Sequence, residues 1–243
     1  RLRPSVRRAF RRPAPVKSAA GWVPGDYVEP VFRPPAEWRS LILQVTVGCS
    51  WNKCSYCEMY TSPQKRQFRI KPVDVIEEEL RGLAESGEIG FYSRVFLADG
   101  DAMALPHRQL KEVLLLIRKY FGGRSPRVSS YCLPRNLRAK SVDQLKELRD
   151  LGLSILYVGC ETGDDELLSR VNKGETFESS LEALAKIRAA GLKSSVMILN
   201  GLGGKALSHQ HAVNSARLVN AAQPTYLSTL VLSFPAGETR FRS

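Results

Sequence analysis

From Leu41 onward the chain alternates short apolar runs with longer amphipathic stretches, about six times over. The short runs cover residues 41–47, 94–98, 127–131, 154–159, 193–199 and 225–232, and are rich in the Val, Ile, Leu and Tyr that suit a pleated strand. Helical patterns fill the gaps. Residues 72–86 open on Pro72 and carry Glu77, Glu78 and Glu79 early, which suits the positive end of a helix dipole. Residues 107–121 place Leu110, Val113, Leu114, Ile117 and Phe121 on one face. Residues 141–151 begin on the capping residue Ser141 and stop at Gly152; residues 176–190 stop at Gly191, and residues 208–222 end before Pro224. Strand and helix in alternation predict an α/β fold with a parallel sheet and helices outside it.

Such a sheet is either doubly wound or curled into a barrel. Barrels gather their chemistry at the carboxyl ends of several strands. Here chemistry-bearing residues follow each of the first five runs: a cysteine-rich loop, then Asp99-Gly100-Asp101, Cys132, Glu161-Thr162-Gly163 and Asn200-Gly201-Leu202-Gly203-Gly204. A single mouth lined by all five loops is the economical expectation.

At 243 residues the chain has room for one large domain, or at most two, and for a sizeable core. The expected division is an arm over residues 1–40 and a core over residues 41–243. The arm is rich in Pro and Arg, and proline denies the backbone donors that regular structure needs, so it is expected to run across the domain surface. Within it, residues 1–20 hold seven basic residues and no acid, out of a net charge of +12 for the chain. That pattern reads as a solvated arm or as a contact for RNA or another polyanion. The five cysteines are odd in number and unevenly spread. This argues for a reducing, cytoplasmic setting over a secreted disulfide scaffold. No apolar run is long enough to span a bilayer, and the N-terminal stretch has no apolar segment of the signal-peptide kind.

Cys49, Cys54 and Cys57 lie within nine residues, in Gly48-Cys49-Ser50-Trp51-Asn52-Lys53-Cys54-Ser55-Tyr56-Cys57. A structural zinc ion is closed by four ligands, and His107, His209 and His211 are distant in sequence. Plant-type ferredoxin spacing begins the same way but requires a fourth cysteine, and the next one, Cys132, lies across a helix and two strands. Three thiolates on a four-iron cluster leave one iron open for a substrate or cofactor.

This loop, its place after the first strand and the segments downstream resemble the radical S-adenosylmethionine (radical SAM) superfamily over residues 41–232. The commonest superfamily spacing has three residues between the first two cysteines; this chain has four, as in a subset of the superfamily. The resemblance implies a partial (β/α)6 barrel of the TIM type. It implies that Cys49, Cys54 and Cys57 each bind one iron of a [4Fe-4S] cluster whose fourth iron chelates S-adenosylmethionine. Reductive cleavage would then give a 5′-deoxyadenosyl radical that takes hydrogen from a substrate, with electrons from a donor such as a flavodoxin or ferredoxin. An iron–sulfur module for RNA binding or electron relay, without radical chemistry, is the competing expectation.

The resemblance also implies roles for further residues. Tyr56 lies near the adenine. Gly100 and Asp101 meet the methionine ammonium. Glu161 reaches the ribose hydroxyls, and Ile198, in Val196-Met197-Ile198-Leu199-Asn200-Gly201, packs on adenine. Arg170 reads either as an exposed helical arginine or as a contact for the methionine carboxylate. Ser129 and Ser130 are expected near the end of the third strand. Cys132 and Cys160, at strand ends expected to face the mouth, read either as buried small apolar residues or as a hydrogen-atom donor or acceptor. His209 and His211 open a helix and are expected in solvent.

Overall fold

A computed structural model describes residue 25, residues 27–234 and residues 239–242, with residue 242 described by its backbone alone. In chain order the elements are β1 Leu41–Gln44, β2 Thr46–Val47, β3 Arg69–Ile70, α1 Val73–Glu85, β4 Arg94–Ala98, α2 His107–Tyr120, β5 Arg127–Cys132, α3 Val142–Asp150, β6 Leu153–Glu161, α4 Asp165–Arg170, α5 Phe177–Ala189, β7 Lys193–Asn200, α6 Ser208–Ala222, β8 Tyr226–Val231 and α7 Thr239–Arg242. Residues 1–20, expected as a polyanion contact, lie outside the described residues.

Six strands pair in parallel, in the order β1-β4-β5-β6-β7-β8. That order never reverses. A doubly wound sheet reverses its strand order at a switch point, which sends helices to both faces. With crossovers of one hand and one direction, the crossover helices land on the same face. The side chains record this. Leu41, Leu43, Val95, Leu97, Val128, Leu156, Val158 and Val196 point to the helices and share one core with Ile76, Leu114, Leu145, Leu148, Ile187 and Leu218. Alternate residues (Ile42, Phe96, Ala98, Tyr131, Ile155 and Tyr157) form a separate cluster on the helix-free face. The sheet does not close: β1 and β8 are its two edges. The fold is a partial barrel of six strands.

The helices form where their patterns place them. Leu110, Val113, Leu114 and Ile117 make the buried stripe of α2. Ser141 caps α3 reciprocally: its hydroxyl accepts from the Gln144 N–H at 3.1 Å, and the Gln144 side chain accepts from the Ser141 N–H at 3.0 Å. Thr176 caps α5 in the same manner with Ser179. The one-turn α4 carries no periodicity long enough to read from sequence; Asp164 caps it by accepting the Leu167 N–H at 2.9 Å.

The first apolar run divides. β1 stops at Gln44, and Thr46–Val47 pair antiparallel with Arg69–Ile70 instead. This small ladder returns the chain to the barrel after the cysteine loop. Residues 27–40 also differ from a surface arm. Val31 packs against the helix-free cluster of Phe96, Ala98, Ile155 and Tyr157. Val28 donates its N–H to the Gln44 side chain at 3.0 Å and accepts from it at 3.3 Å. Glu37 is fully buried; its carboxylate accepts from Arg127 Nη2 at 2.6 Å, from the Tyr157 hydroxyl at 2.6 Å, and from the Ser40 hydroxyl. The segment thus runs along the helix-free side of the sheet with Val31 and Glu37 turned inward.

A buried carboxylate is tolerated only while its partners remain. Arg127→Met is therefore expected to lower unfolding free energy by about 3–5 kcal/mol. The double variant Glu37→Gln/Arg127→Met is expected to recover most of that loss. Urea denaturation of the parent, the single and the double variant measures both.

Candidate active site

The cysteine loop leaves β2 at Gly48, whose φ of +80° is a conformation that glycine adopts freely. A side chain there would also collide with the Lys65 carbonyl. The loop is held by the next strand end. Gly100 donates its N–H to the Gly48 carbonyl at 3.2 Å. A Cβ on Gly100 would lie 2.6 Å from that carbonyl oxygen and 3.1 Å from the Cys49 Cα, so the two loops touch backbone to backbone. On either side of this contact stands a buried acid. Asp99 accepts from the Gly48 N–H at 3.4 Å and is paired with Lys65 at 2.7 Å, both side chains fully buried. Asp101 accepts from the Ser50 N–H at 3.1 Å, from the Ser50 hydroxyl, and from the Asn136 amide at 3.4 Å. Burial pushes the Asp101 carboxyl up to about 6 despite those donors.

The far side of the loop is tied to the chain after α4. Ser55 donates its N–H to the Val171 carbonyl at 3.0 Å, and the Trp51 indole donates to the Asn172 carbonyl at 2.7 Å. The Arg135 guanidinium lies 3.7 Å above the Trp51 ring. All five cysteines are free thiols among the described residues. Burial pushes Cys49 up to about 12, helped by the Asp101 carboxylate, and raises Cys57 as well. Thiols held in this way become thiolates on binding a metal, which releases their protons.

The fourth strand end supplies Glu161. Its φ of 66° is unusual for a residue with a side chain, and the register of β6 against β7 shifts between Gly159 and Glu161. Such strain at a strand end is a mark of a site. Lys173, buried, donates to the Glu161 carboxylate at 3.0 Å and to the Tyr56 hydroxyl at 3.2 Å. Burial alone would lower the Lys173 ammonium, but the Glu161 carboxylate holds it well above its usual range. Burial and the Glu161 carboxylate raise the Tyr56 phenol. Tyr56 packs against an apolar cup of Val171, Leu199 and Leu202.

The structure therefore brings Cys49, Cys54, Cys57, Tyr56, Gly100, Asp101 and Glu161 to one end of the sheet. Arg170 takes the exposed helical place that was its alternative: it is about two-thirds exposed and pairs with Glu166 at 2.6 Å on the outside of α4, while Lys173 stands in the interior. Three other expectations are corrected. Ile198 faces the helices in the main core, and its neighbour Leu199, one residue on, faces Tyr56. Cys132 and Cys160 are buried in that same helix-side core and do not face the mouth, and burial raises both thiols, Cys160 to about 12. His211 is buried, with Nδ1 2.8 Å from the Thr162 hydroxyl, and does not lie in solvent. Ser130 spends its hydroxyl on the Leu97 and Tyr131 carbonyls, at 3.3 and 2.8 Å, and Ser129 on that of Val95 at 3.5 Å.

Among the described residues no three His, Cys, Asp or Glu side chains gather as one ion would need. A four-iron cluster asks for something different, since each thiolate meets a separate iron. Three free thiols on one anchored loop, against a glycine that leaves room at Cys49, fit that donor set. Gly100→Ala is expected to push the cysteine loop off the Asp99–Asp101 turn. Iron and sulfide bound per chain after anaerobic reconstitution should fall by half or more, while the far-ultraviolet circular dichroism stays that of the parent.

A family model for the radical SAM superfamily matches residues 43–218. The heme chaperone HemW of Bacillus subtilis (strain 168) is 25% identical over 185 residues, covering 73% of this chain and 47% of HemW. Among solved structures, coproporphyrinogen III oxidase (HemN) from Escherichia coli, described as a radical SAM enzyme, superposes with a TM-score of 0.60 at 17% identity, covering 84% of this chain and 46% of that one. The methyltransferase TsrM from Kitasatospora setae, with cobalamin and a [4Fe-4S] cluster bound, superposes with a TM-score of 0.58 at 18% identity, covering 79% of this chain and 34% of that one. At those identities the structural likeness is one of fold. The chain spans about half the length of HemW and less of the other curated relatives it matches.

Proposed function

Because the chain belongs to the radical SAM superfamily, enzymes that use a [4Fe-4S] cluster and S-adenosylmethionine, we propose that Cys49, Cys54 and Cys57 hold the cluster and that the adjoining pocket seats the nucleoside. When bound, the pair supplies one-electron cleavage of the sulfonium and removal of a hydrogen atom from substrate. The electron comes from a reduced donor protein of the flavodoxin or ferredoxin kind. Family membership favours this reading over a module for electron relay or RNA binding alone.

The chain's own residues divide the work of recognition. The Gly100 turn keeps the cysteine loop close to the acids of the second strand end. Asp101, its carboxylate already fixed by Ser50 and Asn136, faces the amino group of the methionine moiety. Lys173 carries a fixed positive charge for the methionine carboxylate, the part that one reading gave Arg170. Glu161 accepts from the ribose hydroxyls. Tyr56, Val171, Leu199 and Leu202 offer the apolar seat for adenine. The observation that carries this reading is the buried Lys173–Glu161 pair touching Tyr56, one residue from a cluster cysteine. Glu161 keeps Lys173 charged in the interior, and the pair sets a cation and an acceptor side by side, one for the methionine carboxylate and one for the ribose.

Two measurements test it. Reconstituted protein with dithionite and S-adenosylmethionine should release 5′-deoxyadenosine and methionine, and Cys57→Ala should abolish that release together with cluster binding. Lys173→Met should weaken S-adenosylmethionine binding by about tenfold or more, measured by calorimetry on cluster-loaded protein, whereas Arg170→Ala should bind as the parent does. Equal affinity in the Lys173 and Arg170 variants would remove Lys173 from the site.

A further inference from the structure

Two hydrogen bonds reach the cysteine loop from the other end of the chain. In α7 the Arg240 guanidinium donates through Nη1 to the Cys57 carbonyl at 2.6 Å and through Nη2 to the Asn52 carbonyl at 2.7 Å. Those carbonyls flank Cys54 in sequence, so one planar fork spans the stretch that carries two of the three thiols. Asn52 also sits at a positive φ of 44°, a conformation that needs support. Its side chain lends some, donating to the Tyr60 carbonyl at 2.9 Å. The segment that brings Arg240 there is itself anchored. Leu232, just past β8, donates its N–H to the Asn200 carbonyl at 2.9 Å. Phe241 packs with Leu232 and Tyr56 against Val171, Leu199 and Leu202, and its ring lies 5.0 Å from that of Phe234. The region matched by the family model ends at residue 218, so Arg240 lies outside it while both carbonyls it holds lie inside.

We propose that Arg240 is a positioning residue that clamps the cysteine loop, holding the backbone of Asn52 and Cys57 in place and fixing a positive charge against a cluster ligand. The proposal rests on the reading of this loop as the cluster's seat. Guanidinium suits the task because its donors are rigidly coplanar and permanently charged. Groups that hold metal ligands in place set both the affinity for the metal and its electronics. Hydrogen bonds and net charge around a cluster set its reduction potential. A cation there stabilises the reduced, more negative state and so raises the potential.

The test compares the full chain with Arg240→Ala and Arg240→Lys, without metal and after anaerobic reconstitution. In the metal-free protein, amide hydrogen exchange across residues 49–57 is expected to speed up at least tenfold in Arg240→Ala, with β5 and β6 unchanged, which shows that the barrel remains folded. Arg240→Lys keeps the charge but cannot span two carbonyls, so its loop should exchange nearly as fast. In the reconstituted protein, the one-electron reduction equilibrium should shift tenfold toward the oxidised state in Arg240→Ala, a fall of about 59 mV. Arg240→Lys should keep most of the parent potential. Unchanged exchange in Arg240→Ala overturns the clamp, and faster exchange with an unmoved potential overturns its electrostatic part. If the parent chain takes up no four-iron cluster, or Cys57→Ala takes up as much, the assignment of the loop fails instead. The exchange experiment on metal-free protein still decides the clamp.

Discussion

The candidate site depends on two loops meeting through their backbones, with no side chain between them. The Gly100 N–H reaches the Gly48 carbonyl, and there is space for a hydrogen atom and nothing larger where a Cβ would stand. That approach brings Asp99 and Asp101 alongside the cysteine loop, where their carboxylates collect the N–H groups of Gly48 and Ser50. An irregular loop beside a core would otherwise leave such donors unpaired, at a substantial free-energy cost. The acids are in turn tolerable in the interior because Lys65, the Ser50 hydroxyl and Asn136 partner them. Loop and strand ends therefore hold each other. Arg240 and the Val171–Asn172 turn close the remaining sides.

The architecture behind this contact follows from winding in one direction only. Each of the five long helices covers the same face of the sheet, so the opposite face must be filled by other means. On the β1 side, residues 27–40 cover part of it, through Val31 on the aromatic cluster and Glu37 beneath Arg127 and Tyr157. On the β8 side the strand is exposed along its length, with Val231 more than three-quarters accessible. The two edges of the open sheet are thus unlike each other: one is plugged by its own chain and the other borders the mouth where Leu232 turns toward the cysteine loop.

Much of this was legible in the residues. The stripe of α2, the caps at Ser141 and Thr176 and all six long strands follow from period and punctuation, and the structure shifts their ends by two or three residues at most. What escaped did so for identifiable reasons. β3 has two residues, too few to show a period. Whether Ile198 or Leu199 faces the site is a matter of parity along β7, and in an apolar run buried on both faces no polar alternation announces it. Arg170 and Lys173 are three residues apart. Which of them enters the interior depends on α4 ending at Arg170 and on Asn172 turning back at a φ of 51°. The carboxyl ends of Cys132 and Cys160 strands do lie at the mouth, but their side chains point to the helices.

The amino-acid sequence by itself determined the kind of fold and the kind of chemistry. Periodicity is a local property, and three thiols on one short loop remain together however the rest of the chain is arranged. Tertiary structure alone decided which residues of distant segments share the interior: Lys173 with Glu161 and Tyr56, Glu37 with Arg127, Arg240 with the Cys57 carbonyl. Those pairings join residues far apart in the chain, and their energy comes from burying charge and backbone dipoles together. Burial of that sort exists only once the sheet has brought its strand ends side by side.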